Sequence, residues 1–381
     1  MHDLAKDVLG VNELVSLKVS KFKDISEVRR LQLQLDEDMS STSLKCLRNA
    51  KKLRTIFISQ GSSLDPSIFS RNDHLRILHV GFSPNFPKWP SLSSHLRYLR
   101  LTSLDLREAV NDQSVSKLYD LETLVLTNIY SVQNVLTNIH SLQKLRYLEL
   151  SSTDMEELPD SVTRLCNLQT LDLNNCELKV IPNSISSLKI LRFLNLSGNP
   201  FEEFPLSILT LSNLQTLDVN ACKNLRALPE YVAALANLEI FHFKNCPLLT
   251  ALPEDFGALT QLRSLDLEGT GIKVLPESCA SLNNIVFVHL FECEPPKHIK
   301  NWTKLRKIHF YGRGSTMLGV GKLAFLQELK YSVPKQLANE PECNVSIQEL
   351  RNLNFLEALG IVNLQNVKNP VDAERVLNFD M

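Results

Sequence analysis

The chain has 381 residues, of which 44% are hydrophobic and 22% charged, and this excludes a largely disordered polypeptide. Its 41 Lys and Arg stand against 42 Asp and Glu, so no global field draws it to nucleic acid or an anionic membrane. No apolar run reaches the roughly 18 residues of a membrane span, and charges stand where a secretory signal would be apolar, in Met1-His-Asp-Leu-Ala-Lys-Asp-Val8. These features imply an intracellular protein with reduced thiols. N-x-Ser/Thr triplets at Asn195, Asn301 and Asn344 carry little weight, because Asn195 falls inside an expected strand.

A template, L-x-x-L-x-L with apolar substitutions, recurs along the whole chain. It begins irregularly, as Val28-Arg-Arg-Leu-Gln-Leu33, Leu53-Arg-Thr-Ile-Phe-Ile58, Leu75-Arg-Ile-Leu-His-Val80 and Leu96-Arg-Tyr-Leu-Arg-Leu101. From Leu121 to Ile285 it starts every 23 or 24 residues, at 121, 145, 168, 191, 214, 238, 262 and 285. It continues as Leu305-Arg-Lys-Ile-His-Phe310, Leu326-Gln-Glu-Leu-Lys-Tyr331 and Leu356-Glu-Ala-Leu-Gly-Ile361. The last interval is 30 residues, which places an interrupting loop near Pro334 to Pro341. That makes 15 candidate repeats.

Within a repeat, the L-x-L core has period two and reads as a short strand with its leucines on one face. Eight residues after the first Leu comes a small hydrogen-bonding residue: Thr153, Cys176, Asn199, Cys222, Cys246, Thr270, Cys293. Such side chains can satisfy backbone groups where the chain leaves the strand. An apolar-Pro pair follows, from Leu158-Pro159 to Leu275-Pro276. The proline opens a short helical stretch such as Asp160 to Leu165 on the outer side. One repeat cannot bury its own leucines, whereas stacked repeats share a continuous core. The expected fold is therefore α/β: a leucine-rich-repeat solenoid, a curved horseshoe with a parallel concave sheet and an irregular, short-helical convex side.

The wording from Leu158 to Leu173, L-P-x-S-[IV]-x-x-L-x-N-L-Q-T-L-D-L, resembles the repeats of plant intracellular disease-resistance receptors of the nucleotide-binding leucine-rich-repeat (NB-ARC-LRR) family. The early Glu27 to Leu33 resembles their first repeat, and Ile347 to Val367 a late one. The opening Met1-His2-Asp3 is similar to the triplet that closes the family's nucleotide-binding module. The resemblance implies that residues 1–24 are the tail of that module and that 25–381 form the repeat array, most regular at 121–300. It also implies that His2, with Asp3 beside it, senses the phosphate of bound ADP in an intact receptor. No G-x-x-x-x-G-K-[ST] loop is present, so ADP or ATP enters only through a nucleotide-binding module outside this sequence, and no cofactor is expected here. The implied function is protein recognition and autoinhibition in a defence response. The implied partners are a pathogen effector, a host guardee or the receptor's own nucleotide-binding module, and the implied location is the cytoplasm, with the nucleus as a second compartment.

Eight cysteines show no C-x-x-C spacing, and four of them share one repeat site, so a buried hydrogen-bonding ladder is expected in place of zinc or disulfides. No G-x-S-x-G, no H-E-x-x-H and no paired Cys/His motif occurs, so the reading is a non-enzyme without a metal. The polar strand positions point out of the concave face in two rows. One runs Tyr147, Thr170, Phe193, Thr216, Ile240, Ser264, Phe287, Lys307, and the other Glu149, Asp172, Asn195, Asp218, His242, Asp266, His289, His309. Partner contact is expected from Glu149, Asp172, Asp218, His242 and Asp266. It is expected above all where Phe287, His289, Phe291, Lys307, His309, Tyr311 and Arg313 cluster, since aromatic and Arg side chains dominate binding hot spots. The competing reading is a general intracellular leucine-rich scaffold of the Ras-pathway adaptor kind. The ectodomain of a membrane receptor and an enzyme are weaker alternatives.

Overall fold

The computed structural model describes residues 15–18, 26–34, 47, 50–60, 69, 72–82, 92–103, 105, 107, 114–311, 319–332 and 352–363. The chain divides into two compact units, Met1–Leu178 and Lys179–Met381. In the first, parallel strands follow chain order: β1 Val15–Lys18, β2 Arg30–Gln34, β3 Thr55–Gln60, β4 Ile77–Phe82, β5 Tyr98–Thr102, β6 Thr123–Thr127, β7 Tyr147–Glu149 and β8 Thr170–Asp172. In the second they are β9 Phe193–Asn195, β10 Thr216–Asp218, β11 Ile240–His242, β12 Ser264–Asp266, β13 Phe287–Phe291, β14 Lys307–Tyr311, β15 Glu328–Ser332 and β16 Ala358–Val362. Each unit is thus a leucine-rich-repeat solenoid with one strand per repeat. The repeat template supplies every strand but β1, which pairs with β2 from within residues 1–24.

The period of two appears directly in burial. The middle residues Leu148, Leu171, Leu194 and Leu265 are fully buried, and their strand neighbours face the other side, half-exposed. At most strand entries one carbonyl accepts two N–H groups from the next repeat. Glu122 O takes Arg146 N and Tyr147 N at 2.9 and 3.2 Å, and Arg263 O takes Val286 N and Phe287 N at 2.8 and 3.1 Å. The Asn of the N-L-Q-T-L wording adds a side-chain rung. Asn167, Asn213 and Asn237 each donate from Nδ2 to a carbonyl of the preceding repeat, Gln143, Lys189 and Ser212, at 2.8 Å.

Beyond the strands of the regular repeats the chain turns through a left-handed residue, seven places after the first Leu of the template. Ser152, Asn175, Gly198, Ala221, Asn245, Gly269 and Glu292 all have positive φ there. Glycine serves twice, and at Gly269 a β-carbon would sit 2.4 Å from Asn245 Oδ1. The small residue that follows closes the turn as expected. Thr153, Asn199 and Thr270 donate to a carbonyl of their own repeat, on Leu150, Leu196 and Leu267, at 3.0, 2.8 and 2.8 Å. Cys176, Cys222 and Cys246 instead reach back to the preceding repeat, to Leu150, Leu196 and Val219 O, at 2.8, 3.3 and 3.2 Å.

The prolines then start the outer side. Pro159, Pro182 and Pro205 sit in extended conformation with φ of −66°, −71° and −70° just before a helical turn. Only two of these segments are α-helical, α1 Gln133–Leu136 and α2 Asp160–Thr163, among the described residues. The others, such as Asn183–Ser187 and Glu277–Ser281, are 3-10 turns, which suit segments this short. Trp302 is fully buried in this layer and donates from Nε1 to Cys279 O at 2.9 Å. No helix among the described residues is long and apolar enough to cross a membrane.

The six described cysteines are all free thiols, and burial pushes Cys176 and Cys246 up to about 11 and Cys222, Cys279 and Cys293 up to about 12. Cys166 alone among them is exposed. Brief treatment with iodoacetamide at pH 8 is therefore expected to alkylate Cys166 in the folded protein and to spare the other five until denaturant is added. Mass spectrometry of the tryptic peptides reads the outcome, and equal labelling of Cys166 and Cys222 without denaturant would contradict the buried ladder.

Candidate functional site

The register places the expected inner-face residues side by side within each unit. In the first, Tyr147 pairs with Thr170 and Glu149 with Asp172. In the second, Asp218 pairs with His242, Asp266 with His289, His289 with His309, and Phe291 with Tyr311. His2 and Arg313 lie outside the described residues.

Several of these side chains are occupied by the fold itself. Asp172, Asn195, Asp218 and Asp266 each accept the backbone N–H two residues on, from Asn174, Ser197, Asn220 and Glu268, at 3.1, 3.0, 2.9 and 3.0 Å. An Asp or Asn at the strand's end thus builds the turn, which commits part of its accepting capacity before any partner arrives. Glu149 is held by Tyr147 Oη at 2.8 Å, Ser151 Oγ at 3.0 Å and Thr127 Oγ1 at 3.2 Å. Burial, reinforced by the Glu149 charge, raises the Tyr147 hydroxyl far above the usual phenol range and keeps it protonated as a donor.

The second unit gathers aromatic rings on β13 and β14. Phe287 packs edge-on against His309 at 5.3 Å between centroids, His309 against His289 at 5.4 Å, and His289 against Tyr311 at 5.5 Å. This packing half-buries Phe287 and leaves His289 only 9% exposed, so neither stands free in solvent as the sequence suggested. Phe291, at the end of β13, keeps 39% of its surface open. Seven candidate residues were expected in this cluster; the six described ones do lie on these two neighbouring strands.

Charge is arranged around the rings by β12 and β15. Asp266 Oδ1 meets His289 Nδ1 at 3.1 Å. Burial works to raise the Asp266 carboxyl, but the His289 hydrogen bond and the Glu268 N–H hold it below the usual range. Asp218 Oδ2 lies 3.3 Å from His242 Nδ1, and this hydrogen bond raises the His242 imidazole against the opposing effect of burial. On β15, two residues that the sequence reading passed over close the cluster. Glu328 accepts from Lys330 Nζ at 2.8 Å, Lys307 Nζ at 2.9 Å and His309 Nε2 at 3.1 Å. Burial lowers His309 below the usual imidazole range although Glu328 opposes it, so the ring is neutral at neutral pH and donates from Nε2. Continuing the two sequence rows by one more repeat, to Glu328 and Lys330, would have found both.

Among the described residues, one group has ligating atoms close enough to hold a metal: Asp266, Glu268 and His289, all within 4.8 Å of one another. Each is already engaged. Lys244 Nζ pairs with Glu268, and Asp266 spans its own turn and His289.

The Lys330 and Lys307 hydrogen bonds depress the Glu328 carboxyl to about 2. A depressed carboxyl contributes stability that is complete above its ordinary range and is lost as pH falls through that range toward the folded value. Glu328→Gln is therefore expected to lower the melting temperature by a few degrees at pH 7, with the gap to wild type closing as pH falls from about 5 to about 2. A gap that stays constant over that interval in a calorimetric series would show that the carboxylate charge is not its source.

A model described as "Leucine-rich repeat region" matches residues 106–191 and 244–378, together more than half of the chain. A single "Leucine Rich Repeat" model matches 191–211. An Arabidopsis thaliana chain named as a disease resistance protein is 46% identical over 76 residues, which are 20% of this chain and 5% of that protein. The volume-regulated anion channel subunit LRRC8B of Homo sapiens is 27% identical over 192 residues, 43% of this chain and 24% of that protein. The chain thus spans a minor part of the length of the curated relatives it matches. Among solved structures, a Leptospira interrogans leucine-rich-repeat protein superposes with a TM-score of 0.69 at 22% identity, covering 93% of this chain and 98% of that one. The protein chain of a TLR13–ssRNA13 complex superposes with a TM-score of 0.60 at 18% identity, covering 90% of this chain and 53% of that one. The parallel strands in chain order, the buried leucine ladder and the match over more than half of the sequence agree: this chain belongs to the leucine-rich-repeat family.

Proposed function

We propose that this protein-interaction fold is the recognition and autoinhibition part of a plant intracellular disease-resistance receptor, and that β13–β15 are its principal contact. The carrying observation is the continuous inner-face cluster of Phe287, His289, His309 and Tyr311, with Phe291 exposed at its edge and Lys307 and Lys330 flanking it. An aromatic centre with a charged rim is the composition of a protein-binding hot spot. Solvent is a poor environment for Phe291 unless a partner covers it. The receptor reading is supported by the L-P-x-S and N-L-Q-T-L-D-L wording and by matches to two Arabidopsis thaliana chains named as disease resistance proteins, the second 32% identical over 71 residues. In such a receptor the same face would hold the nucleotide-binding module at rest and a pathogen effector or host guardee on activation. ADP or ATP would bind that module, with His2 as its phosphate sensor, and the receptor would act in the cytoplasm.

The second reading is a leucine-rich scaffold in signalling. The LRRC8B match favours it, because it covers 43% of the chain against 20% for the first disease-resistance match. The coding sequence upstream of Met1 separates the two, since a phosphate-binding loop in frame belongs to the receptor alone. Replacing Phe287, Phe291 and Tyr311 together by Ser in the intact receptor is expected either to abolish recognition or to cause effector-independent cell death in a leaf assay. Wild-type behaviour in both respects would remove this patch as the contact.

A further inference from the structure

On the inner face of the first unit, one side chain carries a charge that no acid among the described residues balances. Arg100 sits at the middle of β5, in register with His79 of β4 and Val125 of β6, and His79 is in register with Phe57 of β3. The Arg100 side chain is half-buried, and its Nε is sealed from solvent with no hydrogen-bond partner. Among the described residues, the unit's ion pairs join Lys52 to Glu27, His95 and Lys144 to Asp120, Arg97 to Glu122 and Arg107 to Asp105, and none of these reaches Arg100. The first carboxylate along its row is Glu149, two strands away, and its oxygens are already taken by Tyr147, Ser151 and Thr127. His79 adds no second cation beside Arg100, because burial and the Arg100 charge depress it to about 4 and leave it neutral. Tyr98 hydrogen-bonds the Arg100 side chain, but burial raises its hydroxyl and keeps it uncharged, so it supplies no counter-charge either.

A guanidinium in a partly dry wall without a counter-ion is costly, and a planar carboxylate matches its fork of donors. The surroundings are apolar and aromatic: Phe57 and His79 pack with ring centroids 5.5 Å apart, and Val125 is 3% exposed. Strands continue on both sides of β5, so a bound segment can run past Arg100 in either direction. We propose that Arg100 is a recognition point for a carboxylate, and that it receives an Asp or Glu side chain from an extended, otherwise apolar segment of a partner protein. Phe57, only partly covered on β3, receives an apolar flank of that segment. This site is separate from the β13–β15 cluster and stands or falls independently of it.

The test is display of random heptapeptides, held at both ends inside a carrier loop, against the immobilised full chain. The wild-type chain is expected to enrich sequences with an acid at one fixed position and apolar neighbours. Arg100→Gln is expected to lose that enrichment, and Phe291→Ser to keep it. An enriched peptide, synthesised with an amidated C-terminus and followed by fluorescence anisotropy, should bind Arg100→Gln about tenfold or more weakly. Changing the peptide acid to its amide should cost the same factor, and combining both changes should cost no more. Arg100→Lys keeps the charge without the fork and is expected to fall between the two; it replaces the Gln variant in the comparison if thermal melting shows the latter to be unfolded. The proposal is overturned if no acid is enriched, if enrichment survives both Arg100 variants, or if binding requires a free terminal carboxylate.

Discussion

Within each unit most repeats are fixed to the next at a strand-entry carbonyl that accepts two consecutive N–H groups, as Arg146 O does from Gln169 and Thr170 at 2.8 and 3.0 Å. A parallel sheet built of strands only three to six residues long has few ladder bonds, so each must be made in one register. Register in turn fixes which residues share a row, and rows decide what a partner meets. The Asn rung, the left-handed turn and the closing hydroxyl or thiol all serve to deliver the chain to that carbonyl on time. Their cost is conformational, since Ser152, Asn175, Ala221 and Glu292 hold positive φ without being glycine.

The sequence made the architecture legible because a period of 23 or 24 residues and a period of two leave little else for a chain to do. Strand positions, the proline-led outer turns and the thiol site all followed from it. What escaped had a physical reason. β1 escaped because Val15-Ser-Leu-Lys18 is too short a match to the template to be seen without its neighbour β2. The left-handed position escaped because Ser, Asn, Gly, Ala and Glu all fill it, so composition does not mark a constraint that lies in the backbone.

The inner face was legible in outline and misjudged in exposure. Row membership follows from counting, and the register agrees with it. Exposure depends on ring packing between strands, which counting does not give. His289 is covered because His309 and Tyr311 lean on it from the next strand. The acids at strand ends were equally ambiguous on paper. Asp172, Asp218 and Asp266 each spend one oxygen on a turn, and a carboxylate that serves the backbone is less available to a visitor.

The alternation of faces along each strand separates two duties that compact enzymes must often combine in one residue. Leu194, Leu217 and Leu265 carry the burden of cohesion, while Phe193, Thr216 and Ser264 beside them are at liberty to vary. Because surface replacements away from such burdens usually change stability by no more than about 0.5 kcal/mol, a lineage could rewrite what this wall perceives, letter by letter, without jeopardising the masonry behind it. Thr55, Val125 and His289 are exceptions, facing the visitor yet themselves walled in; novelty there would have to be bought with rearrangement.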